Sequence, residues 1–136
     1  MNKSGTADMP LAAVIGHPVS HSLSPHIFSM LSTYTRHAIC YKRIDLMPRE
    51  LGVFLRAVSD KRLFTGWNIT MPHKQSMLEE VSEVSEEARA VGAVNVVYFK
   101  NGKSVGYNTD VMGVTSTLRE ARLKMRGKTA LVYGAG

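Results

Sequence analysis

The sequence predicts an α/β domain with a mostly parallel sheet, one antiparallel strand and flanking helices. Three observations predict it. Short apolar runs such as Leu11-Ala12-Ala13-Val14-Ile15 alternate with stretches in which apolar residues recur every three or four positions. Asn101-Gly102 sits between two strand-like runs and signals a hairpin, the source of the antiparallel member. Apolar residues make up 44% and charged residues 21% of the 136, which suits a globular core and excludes collagen-like and wholly disordered chains.

Each element has a local cause. Leu11 to Ile15 is a short buried-strand signal closed by Gly16. Ser24-Pro25 opens a helix, serine suiting the cap and proline the first helical position, with Ile27, Met30 and Leu31 as its stripe. Ile39 to Ile44 is a second strand, with Ile39, Tyr41 and Arg43 on one face. Pro48 starts a helix whose Leu51, Phe54, Leu55 and Val58 form one stripe. Thr65 to Thr70 reads as the third strand. Pro72 starts a helical stretch, and Val81, Val84, Ala88 and Val91 continue its stripe. Ala93 to Phe99 and Ser104 to Tyr107 make the hairpin. A helix follows over 110–124, with Val111, Val114, Leu118 and Ala121 inward, and Thr129 to Tyr133 is a last strand. Trp67 and the eight methionines read as core and gap-filling residues.

Charge narrows the partners. Seventeen Lys and Arg against eleven Asp and Glu give +6, which favours nucleic acid, a membrane surface or small carboxylates and phosphates. The densest basic run, Arg119, Arg122, Lys124, Arg126 and Lys128, falls at a helix C-terminus and the loop after it, where cations suit the helix dipole. No basic stripe is interleaved with aromatics, which argues against nucleic acid. Cys40 stands alone, which excludes an internal disulfide and a cysteine-based zinc site. His17 and His21 are four apart, but Pro18 intervenes and no HExxH pattern exists, so no metal is expected. The longest clean apolar run, Leu11 to Ile15, is far below the roughly 18 residues of a membrane span, and Met1 to Pro10 lacks a signal-peptide layout. A cytoplasmic protein with no membrane partner is the expectation.

Four polar segments run against local preference, and all can lie at one edge of such a sheet, where ligands bind in open α/β folds. Asn68 and Thr70 share one face of a strand and Ile69 the other. Lys74 then falls in the first turn after Pro72, where a cation opposes the helix dipole. It is either a solvated lysine or a proton-transfer group. Ser22 and Ser24 offer two hydroxyls ahead of a helix N-terminus, suited to a carboxylate or simply to capping. Asp110 favours the dipole in the first turn of its helix, so capping alone could explain it. Asn95 interrupts the apolar run Ala93-Val94-Asn95-Val96-Val97, and a buried amide needs partners from protein or ligand.

Together these segments resemble the shikimate dehydrogenase family. The matching stretches are Val14-Ile15-Gly16-His17-Pro18 with His21-Ser22-Leu23-Ser24-Pro25-His26, then Asn68-Ile69-Thr70-Met71-Pro72-His73-Lys74, Gly92-Ala93-Val94-Asn95, and Gly106-Tyr107-Asn108-Thr109-Asp110-Val111-Met112-Gly113. They run in the family's order from about Leu11 onward and end in Val132-Tyr133-Gly134-Ala135-Gly136. The resemblance implies a two-domain oxidoreductase of aromatic amino-acid (chorismate) biosynthesis, which reduces 3-dehydroshikimate to shikimate with NADPH. It implies that Ser22 and Ser24 bind the substrate carboxylate and that Thr70, Asn95 and Asp110 contact ring hydroxyls. Asn68 is supportive, and Lys74 is the acid/base residue, paired with Asp110. Glu86 is loosely matched to the nicotinamide side. The Ser-Leu-Ser pair looks like the shikimate-specific form, with a quinate/shikimate enzyme as the alternative.

The expected organisation follows. Residues 1–10 form a flexible N-terminus, 11–110 the shikimate-binding catalytic domain, and 111–128 an interdomain helix and linker. Residues 129–136 read as the first strand and glycine turn of a Rossmann NADP domain that is otherwise absent, with Gly134, Ala135 and Gly136 opening its cofactor turn. On that reading the 136 residues alone have no dehydrogenase activity and bind shikimate weakly at best. A stand-alone, non-catalytic binding remnant is the other reading.

Overall fold

A computed structural model of the chain describes residues 9–59 and 63–134. The strands are β1 (Leu11–Gly16), β2 (Cys40–Asp45), β3 (Gly66–Ile69), β4 (Glu83–Val84), β5 (Val96–Lys100) and β6 (Lys103–Tyr107). They form one sheet in the order β2-β1-β3-β5-β6-β4. Pairing is parallel for β1 with β2 and β3 and for β4 with β6, whereas β5 runs antiparallel to β3 and β6. One antiparallel strand in a mostly parallel sheet is the architecture the sequence predicts. The Asn101-Gly102 turn joining β5 to β6 has φ of 52° and 79°, the left-handed backbone that these two residues tolerate best.

The helices are α1 (Ser24–Thr35), α2 (Pro48–Ser59), α3 (Met77–Glu80), α4 (Glu86–Val91) and α5 (Thr109–Glu120). One sheet face carries the core: Ala13, Ile15, Trp67, Ile69 and Val97 pack with Leu51 of α2, Met77 of α3 and Ala88 of α4. Trp67 sits at its centre, with ring centroids 4.6 Å from Phe99, 5.6 Å from Phe64 and 6.0 Å from Phe54. Residues one position off the core positions, including Val14, Tyr41, Arg43 and Asn68, belong to the opposite face.

Several local expectations are corrected. The helix after Pro72 is interrupted: residues 71–76 are turns, α3 lasts four residues, and Val81 is already extended. Sheet pairing outcompetes helix there, because Glu83 and Val84 join β6 as β4. The Val81-Val84-Ala88-Val91 stripe therefore spans a strand and a second helix. Ser24 is not an N-cap but the first residue of α1; Leu23 holds the cap position without a side-chain bond. The last helix runs from Thr109 to Glu120 instead of 110–124; its Val114 is exposed, as is Ala121 just past its end. No strand forms over Thr129–Tyr133, where Leu131, Val132 and Tyr133 are exposed and no described strand pairs with them. Of the methionines in the described residues only Met77 is buried, since those on α1 and α5 face no packed layer. No described helix is long and apolar enough to cross a membrane.

Candidate functional site

The polar segments meet at the edge formed by the carboxyl ends of β1 and β3. Gly16 ends β1 where a side chain could not fit: a Cβ there would lie 2.3 Å from Thr70 Cγ2 and 2.7 Å from the Met71 carbonyl oxygen. That close approach lets His17 N–H donate to the Met71 carbonyl at 2.9 Å, which ties the 17–24 loop to the 70–74 turn. Both loops open onto a cavity of about 410 Å³ lined by Ser22, Ser24, Asn68, Thr70, Lys74, Asn95 and Asp110, with Val14, His17 and Phe28 among its other walls. All six expected substrate contacts thus lie on one cavity, together with Asn68.

Lys74 is held by its backbone, whose carbonyl accepts from Val94 N–H at 2.8 Å. Its Nζ donates to Asp110 Oδ2 at 2.7 Å, with the two side chains 32% and 55% exposed. Asp110 occupies the first turn of α5, where a carboxylate suits the helix dipole. Asn108 caps that helix by accepting from Val111 N–H and anchors it by donating to the Ala93 carbonyl at 2.9 Å. The pair is exposed on one side and walled by protein on the other, so its ammonium can reach both a bound molecule and solvent.

Asn95 is more committed than the sequence suggests. Its Nδ2 donates to Thr109 Oγ1 at 2.9 Å and to Asp110 Oδ1 at 2.8 Å, while its Oδ1 accepts from Thr109 N–H at 2.8 Å. Both amide protons are engaged within the protein. The buried amide therefore finds protein partners and orients the Asp110 carboxylate, leaving Oδ2 to Lys74.

On the other side of the cavity, Ser22 Oγ accepts from Ser24 N–H at 3.3 Å and lies 3.2 Å from Ser24 Oγ. Three residues of β2 grip this loop, and sequence reasoning missed all of them as site residues. Tyr41 bonds Ser24 and donates to Asn68 Oδ1 at 2.7 Å. Arg43 sends Nε and Nη2 to the Ser22 carbonyl at 2.9 and 2.6 Å. Asp45 bonds His17 Nδ1 at 2.5 Å and accepts from Val19 N–H at 3.1 Å. Their signal was the alternation 41, 43, 45, which puts three polar side chains on one strand face. Burial pushes the Tyr41 phenol up to about 12, against a smaller lowering by Ser24. Donation from His17 and from Val19 N–H holds the Asp45 carboxyl below its ordinary value.

The residues expected to meet a cofactor are not brought to this cavity. Glu86 lies exposed in the first turn of α4, outside the cavity lining. Gly134 is exposed, with φ 86° and nothing within 4 Å of a Cβ placed on it, and no strand leads into it. Ala135 and Gly136 lie outside the described residues. The described residues thus build no dinucleotide cradle.

Fold and site define an open α/β small-molecule-binding domain whose cleft carries an ammonium–carboxylate pair opposite two serine hydroxyls. Residues 14–97 match the family model described as the shikimate dehydrogenase substrate binding domain, and the chain belongs to that family. It is 35% identical over 131 residues to a shikimate dehydrogenase (NADP(+)) of Alkaliphilus oremlandii, covering 96% of this chain and 46% of that protein. A protein of the same name from Caldanaerobacter subterraneus subsp. tengcongensis is 40% identical over 123 residues, covering 90% of this chain and 44% of that one. Among solved structures, Thermus thermophilus shikimate 5-dehydrogenase in complex with NADP(H) and shikimate superposes with a TM-score of 0.76 at 35% identity, over 85% of this chain and 44% of that one. The chain spans just under half the length of the curated relatives it matches.

Proposed function

We propose that this chain is the substrate-holding part of a cytoplasmic, NADP-dependent shikimate dehydrogenase, acting between 3-dehydroshikimate and shikimate. The observation that carries the reading is the Lys74–Asp110 pair at 2.7 Å, in the same cavity as Ser22, Ser24 and Thr70. The serine hydroxyls, with Asn68, suit the ring carboxylate, and Thr70 and Asp110 suit ring hydroxyls. Reduction of a ring ketone develops negative charge on its oxygen. The Lys74 ammonium stabilises that charge and delivers the proton, while Asp110 keeps the ammonium in position. Solvent on the exposed side of the pair then reprotonates the amine. Residues 11–110 serve as the substrate domain, and α5 with the segment after it leads toward the cofactor-binding part.

Titrating shikimate against the 136-residue chain tests this reading. Saturable binding with chemical-shift changes confined to the 17–24, 68–74 and 95–110 segments is expected, and Ser22→Ala combined with Ser24→Ala should abolish it. Equal binding by that double variant, or no binding by the unaltered chain at millimolar shikimate, would overturn the assignment.

A further inference from the structure

Tyr41 lies on β2, and its hydroxyl reaches across β1 to Asn68 on β3. The residue beside it in register on β1 is Ala12, whose small side chain leaves room for the ring. The ring is stacked on Phe28 of α1, with centroids 4.1 Å apart and planes 8° from parallel. A phenol has a single proton. In the contact with Asn68 Oδ1 that proton is donated, so toward Ser24 the same oxygen can only accept. Burial keeps the phenol neutral well above physiological pH, so the donor persists. With Oδ1 of Asn68 occupied, its Nδ2 is the end left for the cavity that Asn68 lines.

We infer that Tyr41 is a positioning residue that fixes the Asn68 amide with its two N–H donors presented to the cavity, so that this wall favours an anionic oxygen. The inference deepens the shikimate reading above and rests on it for the identity of the anion. A freely rotating Asn68 would present oxygen as readily as nitrogen and would repel a carboxylate in half of its orientations. Tyr41 also connects the two serines to this amide. When an anion draws the Ser24 hydroxyl proton to itself, Tyr41 keeps its bond to Asn68, and the amide stays aligned.

The test has two arms, both on the 136-residue chain. In the absence of ligand, Tyr41→Phe should shift the Asn68 side-chain Nδ2 proton pair in a ¹⁵N correlation spectrum and narrow its splitting, with the melting temperature changed little. In the second arm, shikimate affinity is measured for Tyr41→Phe, Asn68→Ala and the double variant. Tyr41→Phe should weaken binding about tenfold, the value of one well-placed hydrogen bond. The double variant should be no weaker than Asn68→Ala alone, because the tyrosine acts through the asparagine. Additive losses, or an Asn68 amide pair unmoved by Tyr41→Phe, would overturn the inference. If shikimate fails to bind the unaltered chain while the amide pair responds to Tyr41→Phe, the positioning role stands and the substrate assignment falls.

Discussion

Lys74 Nζ and Asp110 Oδ2 lie 2.7 Å apart, joining the turn after β3 to the first turn of α5. The other carboxylate oxygen of Asp110 is held by Asn95 at 2.8 Å. The ion pair is therefore one arm of a network whose other arm is a buried amide, and removing either partner should have a different consequence.

Lys74→Ala in the full-length gene product should abolish turnover while shikimate affinity changes by no more than about tenfold, since one charge-assisted contact is lost from many. Steady-state kinetics with an equilibrium binding measurement separates the two. Near-normal turnover would remove the acid/base role.

Asn95→Ala frees the Asp110 carboxylate and leaves the Thr109 N–H without its acceptor. The expected cost is about 1–3 kcal/mol of stability, read by urea unfolding, together with a loss of turnover that exceeds the loss of binding. Unchanged kinetics would mean that Asp110 does not need the amide to hold Lys74.

Gly16→Ala should destabilise the chain by about 1–3 kcal/mol or more, because the new methyl meets a backbone carbonyl that cannot swing aside. The same change parts the 17–24 loop from the 70–74 turn, so shikimate affinity should fall with the melting temperature. A variant as stable as the parent would show that the loops have slack.

The Asp45 carboxyl, held low chiefly by the bond to His17 and then by Val19 N–H, binds its proton more weakly in the folded chain than in the unfolded one. Its stabilisation is present above the ordinary value of 3.8 and is lost as pH falls through the lower folded value. A carbon-detected carboxyl titration should place Asp45 below 3.8, and His17→Ala should raise it toward that value. An unaltered midpoint in the variant would refute His17 as the cause.

Trp67→Ala should cost about 3–5 kcal/mol, the usual penalty for deleting a large core aromatic. Chemical denaturation measures it. The change would remove at once the ring contacts that Trp67 makes with Phe54, Phe64 and Phe99.

What was legible in the sequence had local causes. The apolar run of β1, the Asn101-Gly102 turn and the stripe of α2 each declared their element, and the order of strands and helices gave the parallel sheet. The cavity was legible because its residues break local preference: Asn95 within an apolar run, and Lys74 after a proline. Long-range competition was not legible. Val81 to Val84 has helical spacing, yet β6 offers Glu83 and Val84 a strand partner more than twenty residues away, and pairing prevails. Thr129 to Tyr133 has strand composition but no described strand to join, so propensity alone forms nothing there. Tyr41, Arg43 and Asp45 were hidden for a similar reason. Their task is set by a loop twenty residues earlier, and only the alternation hinted at it.

That alternation places the grip on the serine loop in β2, and β2 is the outermost strand on its side of the sheet. Outer strands have ladder bonds on one side only and are the first to open in thermal fluctuations. The two sides of the cavity thus rest on parts of unequal permanence. Brief detachment of β2 would free the serine loop and strip Asn68 of its Tyr41 bond, while Asn68 itself stays in β3 and Lys74, Asp110 and Asn95 keep their mutual bonds. Opening of the cavity on its serine side through the fraying of one strand, with the Lys74–Asp110 pair left intact, is the behaviour this layout favours. Hydrogen exchange at β2 amides should slow on ligand addition more than at any other strand.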